Sequence, residues 1–177
     1  GHKSGNLRFM TSANFAVHAD AIVPVSGPEN VLKSHSIVVR QGLIDALMPH
    51  AQARALSDID HVELPGHVLM PGLVNAHGHA GMTLLRGYAD DMSLASWLND
   101  KIWPLEARWV SPEFVRDGTD IAAAEMLLSG ITTTSDMYFF PDIAAQSLRT
   151  AGMRTQLVFP VMNIETAWAK NAEEYFE

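Results

Sequence analysis

The sequence predicts an α/β fold: a β-rich segment over residues 11–67, followed by βα units around a parallel sheet over residues 68–177. Three observations predict it. The stretch before Gly66 consists of short β-like runs separated by turn residues. Beyond Met70-Pro71, apolar strand candidates alternate with helical segments of about 10–20 residues. The composition, 47% hydrophobic and 18% charged, is that of a globular protein with an ordinary core.

Taken in order, residues 1–10 read as an expression remnant and stand outside the fold. Strands are expected at Ala21–Val25, Ser36–Arg40, Leu43–Met48 and His61–Leu64, forming a small antiparallel sheet. Ile37, Val38 and Val39 are β-branched, and Gln41-Gly42 supplies the tight turn a hairpin requires. In the second segment, strands are expected at Val68–Ala76, Thr132–Phe139 and Arg154–Met162, giving three βα units. Ser111-Pro112 opens a helix with a capping residue and a first-turn proline, and Gly130 ends it. Phe114, Ile121, Ala124 and Leu128 recur along it at roughly helical spacing. A second helix covers Asp142–Ala151 and is closed by Gly152. Gly78–Val110 is too long for an ordinary βα loop, which marks it as functional, with helix around Leu94–Ile102. Ala167–Phe176 reads as the start of an amphipathic helix.

Three strands cannot close a βα barrel. Such a barrel takes ~250 residues, and only roughly a hundred follow Pro71. Its third strand, with Leu157, Val158, Phe159 and Val161, would be a bare apolar edge. The sequence therefore reads as the truncated N-terminal part of a TIM-type barrel preceded by a β-sandwich segment.

Twelve basic residues against twenty acidic ones give a net charge of -8. That balance repels phosphate backbones and excludes nucleic acid and anionic membranes as expected partners. With no cysteine, disulfides and thiolate metal sites are excluded, which suits the cytoplasm. Apolar runs such as Val68–Ala76 contain Pro and Gly and fall short of the ~20 residues of a spanning helix. Asn14–Val25 resembles a signal peptide superficially, but His18 and Asp20 interrupt it.

The strongest chemical signal is Pro71-Gly72-Leu73-Val74-Asn75-Ala76-His77-Gly78-His79, where two histidines two apart end an apolar strand. Side chains at i and i+2 leave one face with α-carbons ~7 Å apart, so both imidazoles can lean onto one ion. An arbitrary His-x-His pair is more often a solvated loop feature. Here a strand of the right length leads into it and a long loop follows, at the strand end where βα barrels keep active sites. His61 and His67 read as structural or solvated. His18, His35 and His50 lack metal-like spacing. Asp90-Asp91 reads as loop and capping chemistry with Arg86 as a pairing partner, and Asp136 as a group that could support a ligand from behind.

With the His pair, Pro65-Gly66-His67-Val68-Leu69-Met70-Pro71-Gly72, Leu84-Leu85-Arg86-Gly87, Asp90-Asp91, Trp97-Leu98, Ile102-Trp103-Pro104-Leu105-Glu106 and Asp136-Met137-Tyr138, the sequence from about Ala21 to Glu177 resembles the amidohydrolase superfamily. Within it, the Trp-Pro-Leu-Glu run is similar to the methylthioadenosine/S-adenosylhomocysteine deaminase branch, related to the triazine chlorohydrolases. The resemblance implies a β-sandwich on a βα barrel holding one divalent metal, usually Zn2+. His77 and His79 would be two of its ligands, Glu106 the acceptor for ribose hydroxyls and Trp97 an aromatic near the nucleoside. It also implies a small-molecule nucleoside substrate and a homo-oligomer, dimer or tetramer.

Without the family, Glu106 is equally well a surface carboxylate and Trp97 a core aromatic. The acid and base of hydrolytic deamination, and the remaining ligands, would lie on later strands, so the 177-residue chain alone is expected to be inactive. A hydrolase of another heteroaromatic (a triazine, a pterin, guanine) and a non-catalytic scaffold stay open as alternatives.

Overall fold

The computed structural model describes residues 14–27, 31–162 and 164–176; the expression remnant assigned to residues 1–10 lies outside them. The chain divides into two compact units on either side of Pro71 and Gly72.

In the first unit β1 (Asn14–Ile22) is central, with β2 (Leu32–Lys33), β3 (His35–Arg40), β4 (Leu43–Pro49), a short helix α1 (His50–Arg54) and β5 (Asp60–Leu69). β3 and β2 pair antiparallel with β1, and β4 with β3. Gln41 and Gly42 both take positive φ, 51° and 78°, the geometry of the tightest hairpin turn, whose twist matches the strands it joins. Two expectations are corrected. The first strand runs Asn14–Ile22 rather than Ala21–Val25, and Val25 has left the sheet with φ 57°. The sheet is also not wholly antiparallel: β5 pairs parallel with β1, from Phe15↔Asp60 to Ile22↔Leu69. β5 runs on through Pro65-Gly66, where the register shifts by a bulge between Ala19 and Ala21. Ala16, Val38, Ala53 and Ile59 form the buried core of this unit.

The second unit holds β6 (Leu73–Gly78), β7 (Ile131–Met137) and β8 (Arg154–Val158), parallel and in the order β6-β7-β8. This is the mixed α/β arrangement that alternating strands and helices dictate. The expected strand Val68–Ala76 is in fact two. Val68 and Leu69 pair with β1, and a new strand starts at Leu73, because Met70-Pro71-Gly72 breaks one apolar run. The third strand ends at Val158 rather than Met162.

Between β6 and β7 the chain forms a 3-10 turn (Ala80–Leu85), a helical turn α2 (Leu94–Ser96), a π-helical stretch (Trp97–Ile102), α3 (Trp103–Trp109) and α4 (Pro112–Leu128). The Ser111 side chain caps α4 by accepting from the Phe114 N–H at 3.2 Å. The buried face of α4 is Val115, Gly118, Thr119, Ala122 and Ala123, whereas Ile121 and Leu128 are exposed. Small residues win that face because Gly118 lies against the Gly81 backbone, where a Cβ would collide with the Gly81 carbonyl.

α5 (Pro141–Thr150) joins β7 to β8. The last segment is irregular apart from a 3-10 turn at Glu174–Phe176, in place of the amphipathic helix expected over Ala167–Phe176. No described helix is long and apolar enough to cross a membrane.

Candidate metal centre

His77 lies at the end of β6, and His79 follows as the N-cap residue just before the 3-10 turn. Their rings stand perpendicular, with centroids 5.0 Å apart, and bring Nε2 to within 3.1 Å of Nε2. Nδ1 of His79 lies 2.7 Å from the Met137 carbonyl oxygen. A carbonyl only accepts, so His79 carries its proton on Nδ1 and turns a bare Nε2 toward His77. Two nitrogens bound at ~2.0–2.1 Å to a tetrahedral zinc would stand about 3.3–3.4 Å apart. The observed 3.1 Å is within a few tenths of that, so the pair fits one divalent ion. Among the described residues no group of three or more His, Asp or Glu converges for a metal.

β7 organises the ground behind the pair. Asp136 is buried at 2% exposure, and its Oδ1 accepts the Ala80 N–H at 2.7 Å, bracing the chain directly after His79. Its Oδ2 is buried with no hydrogen-bond partner. Burial pushes the carboxyl above the usual carboxylate range, while the Ala80 N–H and His79 pull it back. Gly78 eases this approach: a Cβ there would make a tight 3.0 Å contact with Asp136 Oδ1. A cavity of about 180 Å³ opens beside His79, lined in part by Asn75, Thr83, Glu125 and Asp136.

Glu106, on α3, is 7% exposed. Its Oε1 accepts the Tyr138 hydroxyl at 2.8 Å. Burial raises the carboxyl, opposed by that hydrogen bond and by the nearby His79. The Tyr138 hydroxyl is in turn raised by burial and by the charge of Glu106. A second cavity of about 70 Å³ is bounded by Glu106, Trp103 and Phe139.

The geometry thus joins His77 to His79 and places Glu106 within electrostatic reach of His79. Trp97 is half-buried on the π-helical stretch, and among the described residues no ring contact or hydrogen bond links it to the other three. Arg86 does not pair with Asp90 or Asp91. It forms a two-point ion pair with Glu125 at 2.9 and 2.6 Å. Asp91 instead takes φ 58°, a turn conformation that Asp tolerates. The sequence reading missed the roles of Met137 and Tyr138, although the Asp-Met-Tyr run at a strand end was there to be read.

The sequence profile of the amidohydrolase family matches residues 68–177. The chain belongs to that family. The amidohydrolase from Teredinibacter turnerae named 5-methylthioadenosine/S-adenosylhomocysteine deaminase is 47% identical over 93% of this chain and 38% of its own length. One of the same name from Saccharophagus degradans is 46% identical, over 93% and 37%. Among solved structures, an adenosine deaminase from Xanthomonas campestris with bound zinc superposes with a TM-score of 0.88 at 43% identity, over 93% of this chain and 38% of that one. An atrazine chlorohydrolase from Arthrobacter aurescens complexed with zinc gives 0.76 at 21% identity, over 85% and 36%, a likeness of fold alone. This amidohydrolase chain spans a little over a third of the length of the relatives it matches.

Proposed function

We propose that this chain carries the first part of the active site of a metal-dependent deaminase, which replaces the 6-amino group of methylthioadenosine- or S-adenosylhomocysteine-type nucleosides with oxygen and releases ammonia. The observation that carries the reading is the convergence of the His77 and His79 Nε2 atoms at 3.1 Å, with the opposite nitrogen of His79 held by Met137. The names of the 46–47% identical relatives support the substrate class, and the zinc of the adenosine deaminase neighbour supports the metal.

In this reading His77 and His79 hold one divalent ion, zinc for preference. When bound, the ion supplies Lewis acidity that makes water a nucleophile at neutral pH. Asp136 keeps the turn after His79 in place through the Ala80 N–H. Glu106 accepts hydrogen bonds from the ribose hydroxyls, as a carboxylate suits a vicinal diol, and Trp97 offers an aromatic face to the nucleoside. The proton donor to the ring nitrogen, the base and the further ligands belong to the part of the relatives' length that this chain does not match. The 177 residues alone accordingly bind metal weakly and turn over no substrate.

The exposed apolar side chains of β6 and β8, Leu73, Val74 and Val158, support a parallel sheet that continues into a βα barrel, with residues 11–67 as a β-sandwich segment. Family resemblance supports a homodimer or tetramer, and the lack of cysteine suits the cytoplasm. A triazine or other heteroaromatic substrate fits less well, because it offers no diol to the buried Glu106. A scaffold would have no use for two ligands aimed at one point.

The test is ammonia release by the full-length, zinc-loaded protein from methylthioadenosine, S-adenosylhomocysteine, adenosine and a triazine. Turnover of the thionucleosides that collapses in Glu106→Ala is the expected result. Turnover of the triazine alone, or none at all, would overturn the assignment.

A further inference from the structure

Glu106 enters the site from α3, but its carboxylate is held from the end of β7. Tyr138, the residue after β7, donates its hydroxyl to Glu106 Oε1 at 2.8 Å, and both residues are buried. The tyrosine ring is confined on both sides. It packs in the core with Val110, Val115, Phe139 and Ala144. Its edge also lies over the Gly81 backbone, where a Cβ would come within 2.7 Å of the ring's Cδ1. Because the phenolic oxygen lies on the ring's flip axis, a two-fold flip of the ring leaves it in place. The hydroxyl is therefore a fixed point set by packing. The Glu106 side chain is otherwise a flexible one, with rotamer freedom that costs free energy to immobilise.

We infer that Tyr138 is a positioning residue for nucleoside recognition, holding Oε1 of Glu106 so that the carboxylate meets the ribose diol already oriented. The inference rests on the reading of Glu106 as the ribose acceptor. The adjoining residue strengthens it. The Met137 carbonyl takes the Nδ1–H of His79 at 2.7 Å, so two consecutive residues, their α-carbons ~3.8 Å apart, hold one metal ligand and the sugar-binding carboxylate. The end of β7 thereby sets the distance between the reacting centre and the ribose.

Tyr138→Phe keeps the ring and removes only the donor. In the full-length, zinc-loaded protein it is compared with wild type, Glu106→Gln and the double variant. The readouts are zinc stoichiometry, KM and kcat for adenosine-type substrates and for 2′,3′-dideoxyadenosine, and the equilibrium Kd of the inosyl product. KM and Kd for ribosyl compounds are expected to rise about tenfold or more, the scale of one hydrogen bond to a charged acceptor, with the effect falling on KM more than on kcat. For the dideoxy compound the change shrinks to less than about twofold, zinc stoichiometry holds, and Tyr138→Phe adds nothing to Glu106→Gln.

Equal losses on ribosyl and dideoxy compounds, or additive losses in the double variant, would reduce Tyr138 to a packing residue and overturn the inference. A ribosyl-specific penalty in Glu106→Gln with Tyr138→Phe silent would also overturn it, leaving the reading of Glu106 intact. A Glu106→Gln variant that treats ribosyl and dideoxy compounds alike, or a wild type that accepts neither, would remove that reading and this inference together.

Discussion

Two histidine pairs in this chain show nearly the same nitrogen separation and opposite chemistry. In the second unit, His77 and His79 meet at 3.1 Å with perpendicular rings on an exposed strand end. In the first unit, His18 Nε2 and His61 Nδ1 meet at 3.0 Å with rings stacked 12° from parallel. What separates the pairs is the commitment of the other nitrogens. His61 Nε2 faces the Leu56 carbonyl at 2.9 Å, so it carries the proton and Nδ1 is bare. His18 then donates from Nε2 to His61, and its own Nδ1 accepts from Ser36 Oγ at 2.6 Å. Every nitrogen in that chain is used, and no lone pair is left for an ion. Met137 does for His79 what Leu56 does for His61, taking a proton on the far side and leaving the facing nitrogen bare; the pairs differ at the second ring, since among the described residues nothing holds His77 Nδ1 as Ser36 holds that of His18. Proximity of imidazoles does not make a metal site; the tautomer imposed from behind does.

The sharpest way to break this contrast is to remove one ring from each pair in the full-length protein. His77→Ala or His79→Ala is expected to abolish stoichiometric zinc and lower deamination by about 10³-fold, the scale of several kcal/mol of lost Lewis-acid stabilisation. His61→Ala leaves zinc content unchanged. Metal analysis of the dialysed proteins decides it, and zinc lost equally from His61→Ala would mean that the two pairs are not chemically distinct. A smaller effect separates the pairs in stability. His18→Ala strands the buried Ser36 hydroxyl and the His61 Nδ1, and is expected to cost about 1–3 kcal/mol in denaturant unfolding. A midpoint no lower than that of wild type would show that the His18 hydrogen bonds contribute nothing net.

The same contrast explains what was legible in the sequence. His77 and His79 are two residues apart on a strand end, so a local rule about pleat finds them. The pairing of His18 with His61 needs the parallel register of β1 and β5, which sets Ala16 beside His61 and His18 beside Glu63, and no neighbour-to-neighbour hairpin logic yields that. Tyr138 and Glu106 are likewise joined across 32 positions through a buried contact between a strand end and a helix. The spacing of Phe114, Ile121, Ala124 and Leu128 does not reveal the buried face of α4, because Gly118, Ala122 and Ala123 carry little hydrophobic signal. Gly118 allows close approach to the Gly81 backbone in the turn after His79, and Ala123 packs with Leu148 and Met153, while the more apolar Ile121 and Leu128 face outward. The run Val68–Ala76 reads as one strand because apolar character does not reveal which partner each end has. Leu69 pairs with Ile22, and Leu73 with Ile131.

The smallest expected effect is a pH dependence that belongs to the first unit alone. His18 is held below the ordinary histidine value, first by burial and then by Arg54, His61 and His50, with Glu63 opposing; Ser36 faces it as a neutral partner. A lowered folded-state pKa means that between that value and ~6.5 the unfolded chain binds more protons than the folded one. The contribution of His18 to stability is therefore fully present above pH ~6.5 and is lost as pH falls toward the folded-state value. Glu63, held low by its hydrogen bonds to Arg54, acts only in the carboxylate range and stays out of this window. Urea midpoints measured from pH 7.5 to 5.5, about one unit either side of the free imidazole value, are expected to decline in wild type and to decline less in His18→Gln, which has no proton to gain. An identical decline in both proteins would assign the effect to other groups, and the buried histidine would then be a packing element rather than a titrating one.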